Sequence, residues 1–147
     1  MSRDDRGSAL VELSWLGILL VLPMLWIVMS VFEVQRGAFG VSSAARAAAR
    51  AYALAPDDAT GLLRAREAAR VALDDQGLHD VRPEVGVSCM PYPGDCHQGT
   101  SVLTVSVHSR VVLPLMPTAL GGNRPSFALD ASQTVPIGQF QEVSGGG

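Results

Sequence analysis

Between Leu13 and Phe32 the chain carries no charged residue. A run of about twenty apolar residues is the length an α-helix needs to cross the hydrocarbon core of a bilayer. Only Gly17, Pro23 and Ser30 interrupt it, and spanning helices tolerate such residues because neighbouring groups re-satisfy the backbone. A chain of 147 residues has little interior in which to hide so uniform a stretch. The run is also longer than the apolar region of a secretory signal, about 7–15 residues, and Glu33-Val34-Gln35-Arg36 follows it in place of a small-residue cleavage site. The segment therefore reads as a retained membrane anchor. Arg3 and Arg6 precede it beside Asp4 and Asp5, whereas Arg36, Arg46 and Arg50 follow, so the positive-inside rule does not fix its orientation.

The rest of the chain has modest means. Aromatic residues make up 5% of the sequence and charged residues 17%, so any core must be thin and built from Ala, Val and Leu. The net charge of −3 argues against a nucleic-acid partner, which calls for a basic face. All eleven basic residues are arginine.

Helical spacing continues beyond the apolar run. Val41, Ala44, Ala45, Ala48, Ala49 and Tyr52 share one face, and Ser43, Arg46 and Arg50 the other. This predicts one long helix from Ser8 to Ala55, about 70 Å in length, closed by Pro56. Gly37 and Gly40 weaken it near the membrane exit and are expected to mark a bend. A second helix follows, capped by Asp57 or Asp58 and closed by Gly77, with Leu62, Ala65, Ala69, Ala72 and Leu73 as its apolar stripe. Arg64, Arg66, Glu67 and Arg70 read as its solvated face.

After Gly77 the period changes to two. From Val81 to Cys89, the residues Val81, Val85, Val87 and Cys89 share a side, and Pro83 points to an edge strand or a late start. From Ser101 to Leu113, Leu103, Val105, Val107, Val111 and Leu113 oppose Thr104, Ser106, His108 and Arg110. From Ser126 to Val135, Phe127, Leu129, Ala131 and Val135 oppose Ala128, Asp130, Ser132 and Thr134. Three such runs predict an antiparallel meander with one apolar face, packed on the outer half of the long helix, in an α+β fold. The loop Pro114 to Pro125 has room for a short helical turn, and the tail GQFQEVSGGG is expected to fray.

Few residues invite chemistry. Cys89, Cys96 and His97 supply three potential zinc ligands, with His79 or His108 as a remote fourth; four at suitable spacing are needed. Outside the membrane a Cys89–Cys96 disulfide is the better reading, since the Pro and Gly between them favour a turn. No G-x-S-x-G, H-E-x-x-H or glycine-rich phosphate loop occurs. Asp57-Asp58 and Asp74-Asp75 read as helix-end residues. The expectation is a protein without catalytic residues, cofactor or metal.

One residue of the front end stands out. Glu12 lies at the edge of the apolar run, where a carboxylate is costly unless paired or held at the headgroup level. Gly7 precedes Ser8, and Glu12 is the fifth residue counted from Ser8. A cut after Gly7 would give Ser8 a free amine with which Glu12, on the same or a neighbouring chain, can pair. Gly7 followed by Ser-Ala-Leu-Val-Glu and a long apolar helix resembles the class III leader of type IV pilins and pseudopilins. With LVLPML, SSAARAAARAYA, LTVSV and ALDASQTV in order, the chain looks most like the TadE-like pseudopilins of tight-adherence pilus systems. Leu13, where major pilins of these systems often place Tyr, and the sizeable domain after the span favour a minor pilin or pseudopilin. The leader differs from the family's basic ones in carrying Asp4 and Asp5.

The resemblance implies a leader over residues 1–7, a transmembrane and assembly helix over 8–34, an extracytoplasmic pilin-like domain over 35–138 and a flexible tail over 139–147. It implies cleavage between Gly7 and Ser8 by a prepilin peptidase and charge pairing by Glu12. It also implies a single-pass location in a bacterial cytoplasmic membrane. Its partners would be other pilins, an inner-membrane assembly platform and the lipid bilayer. The alternative is an unprocessed, single-pass anchored extracytoplasmic binding domain.

Overall fold

The computed structural model describes residues 6–112 and 126–138, with side chains from residue 9 onward. The expected loop Pro114–Pro125 and the tail from residue 139 lie outside the described residues. Five elements follow in order: α1 (Arg6–Ala53), α2 (Asp58–Asp75), β1 (Glu84–Met90), β2 (Val102–Val112) and β3 (Ser126–Pro136). The architecture is the expected α+β one, with a long helix, a second helix and a three-stranded antiparallel sheet in the order β1-β2-β3.

Helix α1 spans 48 residues and passes through Pro23. It ends two residues before the expected Ala55. The Ala55 N–H turns back to the Tyr52 carbonyl at 3.0 Å, as befits a residue that Pro56 excludes from the helical region. Gly37 and Gly40 do not interrupt the helix. Their role is close approach. A Cβ on Gly37 would come within 2.5 Å of Leu129 Cδ1 and 3.0 Å of Val111 Cγ2, and one on Gly40 within 2.6 Å of Leu78 Cδ1.

The outer half of α1 is the centre of the domain, with α2 on one side and β2 and β3 on the other. Val41, Ala44, Ala45, Ala48, Ala49 and Tyr52 are all buried, as their spacing predicts, and meet Ala65, Ala69 and Leu73 of α2. Small side chains let the two helices approach closely. The contacts also set direction: Gly61 lies against the Tyr52 ring, whereas Leu73 and Leu78 lie against Gly40, so α2 runs antiparallel to α1.

Both ends of α2 are capped. Asp57 is the N-cap and accepts from the Thr60 N–H at 2.8 Å. At the other end the Leu78 N–H reaches the Leu73 carbonyl and the Gly77 N–H the Asp74 carbonyl, with Gly77 at φ 72°. This is a Schellman closure, and a side chain at Gly77 would strain it. Arg36 of α1 donates to the Gly77 carbonyl at 3.0 Å and ties the closure to the helix. On the outer face, Arg70 sits between Glu67 (2.6 Å) and Asp74 (3.0 Å).

Strand β1 is an edge strand and begins at Glu84, not Val81, consistent with Pro83 lacking an N–H for the ladder. In β2 the alternation is sharp: Leu103, Val105, Val107 and Val111 are buried, and Val102, His108, Arg110 and Val112 exposed. In β3, Leu129, Ala131 and Val135 pack on the core, but Phe127, of the same parity, is 51% exposed. The ladder between β2 and β3 continues for four rows past the last β1 pair, Glu84–His108, down to Val112–Ser126.

Candidate functional site

Two regions carry the sequence's candidate residues, and they lie at opposite ends of the molecule. At the N-terminal end, Gly7 and Ser8 fall within the first turn of α1, which begins at Arg6. The helix therefore runs through the junction instead of starting at Ser8. Glu12 is exposed among Ala9, Val11, Leu13, Trp15, Leu16 and Leu19, in a shallow apolar depression. Among the described side chains, the first cation along the helix is Arg36, 24 positions on and about 36 Å away. Intrachain neutralisation from that direction is therefore excluded. The apolar stretch that follows is long and apolar enough to cross a membrane, and none of it is fully buried by the rest of the chain.

At the other end, Cys89 and Cys96 form a disulfide, with Cα atoms 5.4 Å apart. The pair is thereby withdrawn from any zinc site. Closing so short a loop contributes about 2–3 kcal/mol in the chain-entropy view. The sequence offers no hint of what the loop docks on. Asp58, the first residue of α2, accepts from the Cys96 N–H at 3.0 Å and from His97 Nδ1. His97 Nε2 lies 3.3 Å from the Tyr52 carbonyl, and its ring stacks on Tyr52 with centroids 5.3 Å apart and planes 21° apart. The end of α1, the start of α2 and the disulfide loop thus meet in one latch. Asp58 had been legible only as a helix-end residue and His97 only as a potential ligand. The available signal was the adjacency of His97 to a cysteine.

The latch has a clear electrostatic character. Burial pushes the Asp58 carboxyl up, but the Cys96 N–H, the His97 ring and the Tyr52 hydroxyl outweigh it and hold the group below its ordinary 3.8. The Tyr52 hydroxyl is pushed up to about 12, first by burial and then by its bond to Asp58 and that residue's charge. Asp57 is lowered by the Thr60 N–H and hydroxyl. Both ring nitrogens of His97 face protein oxygens, so the cluster holds elements together.

A carboxyl with a lowered folded-state value stabilises the fold above its unfolded value and loses that contribution as the pH falls through the folded one. The gap in melting temperature between the wild type and Asp58→Asn is therefore expected to be widest above about pH 5 and to close below about pH 4. A thermal-melt series of the two full-length chains in detergent checks this. A gap unchanged down to about pH 2.5 would contradict it.

Comparison of the chain with family models, with curated proteins and with solved structures gives no match. Function must therefore be argued from the residues and their placement.

Proposed function

We propose that this chain is a TadE-like minor pilin or pseudopilin, a structural subunit of a tight-adherence pilus or a related secretion apparatus. One observation carries the reading. A single helix is bare and apolar over its N-terminal half, bears Glu12 near its start, and continues unbroken into a small α+β domain. Such a helix serves two solvents in turn. In the membrane its apolar surface faces lipid; in a filament the same surface faces the helices of neighbouring subunits. The work assigned to the protein is packing rather than catalysis.

In this reading residues 1–6 are cytoplasmic, the peptidase cuts between Gly7 and Ser8, and the domain faces outward. The new Ser8 amine provides a cation for Glu12 on the same or a neighbouring chain. Other pilins and an inner-membrane assembly platform are the partners.

Processing provides the test. Intact mass of the protein from cells with the leader peptidase is expected to be smaller by residues 1–7 than from cells without it. An N-terminus at Met1 or Ser2 in both would replace this reading with that of an unprocessed anchored domain.

A further inference from the structure

The disulfide is better protected than the loop it closes. Cys89 is 3% exposed and Cys96 5%, and both belong to the core cluster. Every residue between them from Met90 to Asp95 is exposed. The loop therefore stands in solvent while the bond that closes it is buried. The two cysteines are held in different ways. Cys89 belongs to β1 and pairs with Leu103 in the ladder. That ladder closes at Met90–Val102, so Cys96 lies outside it.

Cys96 is held instead by the start of α2. Its N–H donates to Asp58 Oδ2 at 3.0 Å, and the next residue, His97, bonds Asp58 Oδ1 through Nδ1. The His97 side chain is 12% exposed and lies on Tyr52, with Nε2 3.3 Å from the Tyr52 carbonyl. The loop's other hydrogen bonds stay local: the Asp95 N–H to the Tyr92 carbonyl, Gln98 Nε2 to Asp95 Oδ2, and the Ser101 N–H to the Gln98 carbonyl. Among the described residues, every hydrogen bond from segment 91–100 to the helices passes through Cys96 or His97, and Asp58 takes all but one of them. A loop with its ends in the sheet and its middle pinned by one carboxylate lifts off the helices when that carboxylate lets go. Such local openings occur with the rest of a fold intact. Thiol–disulfide exchange requires that the attacking group reach a sulfur.

We propose that the Asp58 latch gates the Cys89–Cys96 disulfide: closed, it keeps both sulfurs from attack, and its local opening exposes the bond to exchange while the rest of the domain stays folded. The reaction partner is a dithiol protein of the oxidoreductase class. Its thiolate bonds to one cysteine sulfur, the Cys89–Cys96 bond breaks, and the other sulfur leaves as a thiolate and takes up a proton. The partner's second thiol then displaces the first, so that two electrons and two protons pass to this chain and the partner ends as a disulfide. Run in reverse, the same steps form the bond, so oxidation precedes closure of the latch. This inference is independent of the pilin reading.

Reduction of the full chain in detergent by tris(2-carboxyethyl)phosphine at neutral pH, trapped with iodoacetamide and read by intact mass, tests the gate. The phosphine bonds to one sulfur, the other leaves as a thiol, and water converts the adduct to phosphine oxide and the second thiol. Asp58→Ala removes both acceptor oxygens and is expected to be reduced about tenfold faster than the wild type. Leu73→Ala, which opens a cavity in the core at the far end of α2, is expected to be reduced at the wild-type rate. An Asp58→Ala chain reduced at the wild-type rate would overturn the inference. So would acceleration of both variants in step with their lost stability, since the whole fold would then protect the bond. The wild type provides a check that needs no variant and decides the matter even where Asp58→Ala does not fold. Through a local gate its reduction rate is flat over the first additions of urea. A rate that climbs from the lowest urea with the slope of global unfolding would overturn the gate.

Discussion

On the proposed pilin reading, a Glu12→Ala chain is expected to insert into the membrane as the wild type does, yet to lose at least tenfold of its incorporation into filaments or of its co-purification with pilins. Removing a carboxylate from an apolar helix makes insertion easier, so the anchor should not suffer. Assembly is different. Between tightly packed helices water is excluded, and an amine left without its carboxylate carries the desolvation penalty alone, several kcal/mol per ion. A tenfold loss corresponds to only about 1.4 kcal/mol, well inside that range. Glu12→Gln should behave like Glu12→Ala, because it retains shape and removes charge. The fraction of the chain in sheared filaments, set against the fraction in membranes, measures the effect. Wild-type incorporation of both variants would remove the role assigned to this charge.

The second large effect is expected at Tyr52. Its side chain is 3% exposed. The ring fills the space over Gly61, whose Cβ would lie 3.0–3.2 Å from three ring carbons, and its other side stacks on His97. Tyr52→Ala removes the one aromatic ring of the described core cluster, whose other members are mostly Ala, Val and Leu with Cys89, Cys96 and Ile137. A loss of about 3–5 kcal/mol is expected from transfer and cavity terms together. Tyr52→Phe keeps the ring and gives up only the hydroxyl's electrostatic interaction with Asp58, at a cost of about 1 kcal/mol or less. Urea unfolding of the full chain in detergent, followed by the near-ultraviolet signal, separates the two. Equal effects would show that the hydroxyl, not the ring, holds the latch.

The contrast between these two sites explains what the sequence made legible. Secondary structure came through because periodicity is a local property. The stripe from Val41 to Tyr52 and the alternation from Leu103 to Val111 each repeat often enough to name their element and its buried face. Gly37 and Gly40 do not interrupt the helix, and their part in packing is not legible in the sequence, because a glycine placed for close approach and one placed for flexibility have the same letter. Only Leu129, Val111 and Leu78, far away in sequence, tell them apart. Phe127 had the right parity but the wrong surroundings, since alternation says which face a residue takes and not where the neighbouring elements stop. The latch was hidden for the same reason. Asp58, Tyr52 and His97 are each unremarkable in their own segments, and their meeting depends on the turn after α1 and on the disulfide loop. Gly7, Ser8 and Glu12, the residues proposed to act in assembly, present the opposite case. Their meaning is carried by spacing, and the fold adds only the distance to the next cation.

The unbroken course of α1 has a consequence for orientation. A helix without a hinge transmits rotation, so each residue of shift in the face it presents within the bilayer turns the attached sheet by about 100° around the helix axis. On the proposed reading, the compass direction in which the domain looks is therefore set by whichever stripe of Leu10 to Phe32 a neighbouring helix selects. Inserting a single alanine after Gly17 would swing the sheet about a quarter of a turn while leaving every contact within the domain in place.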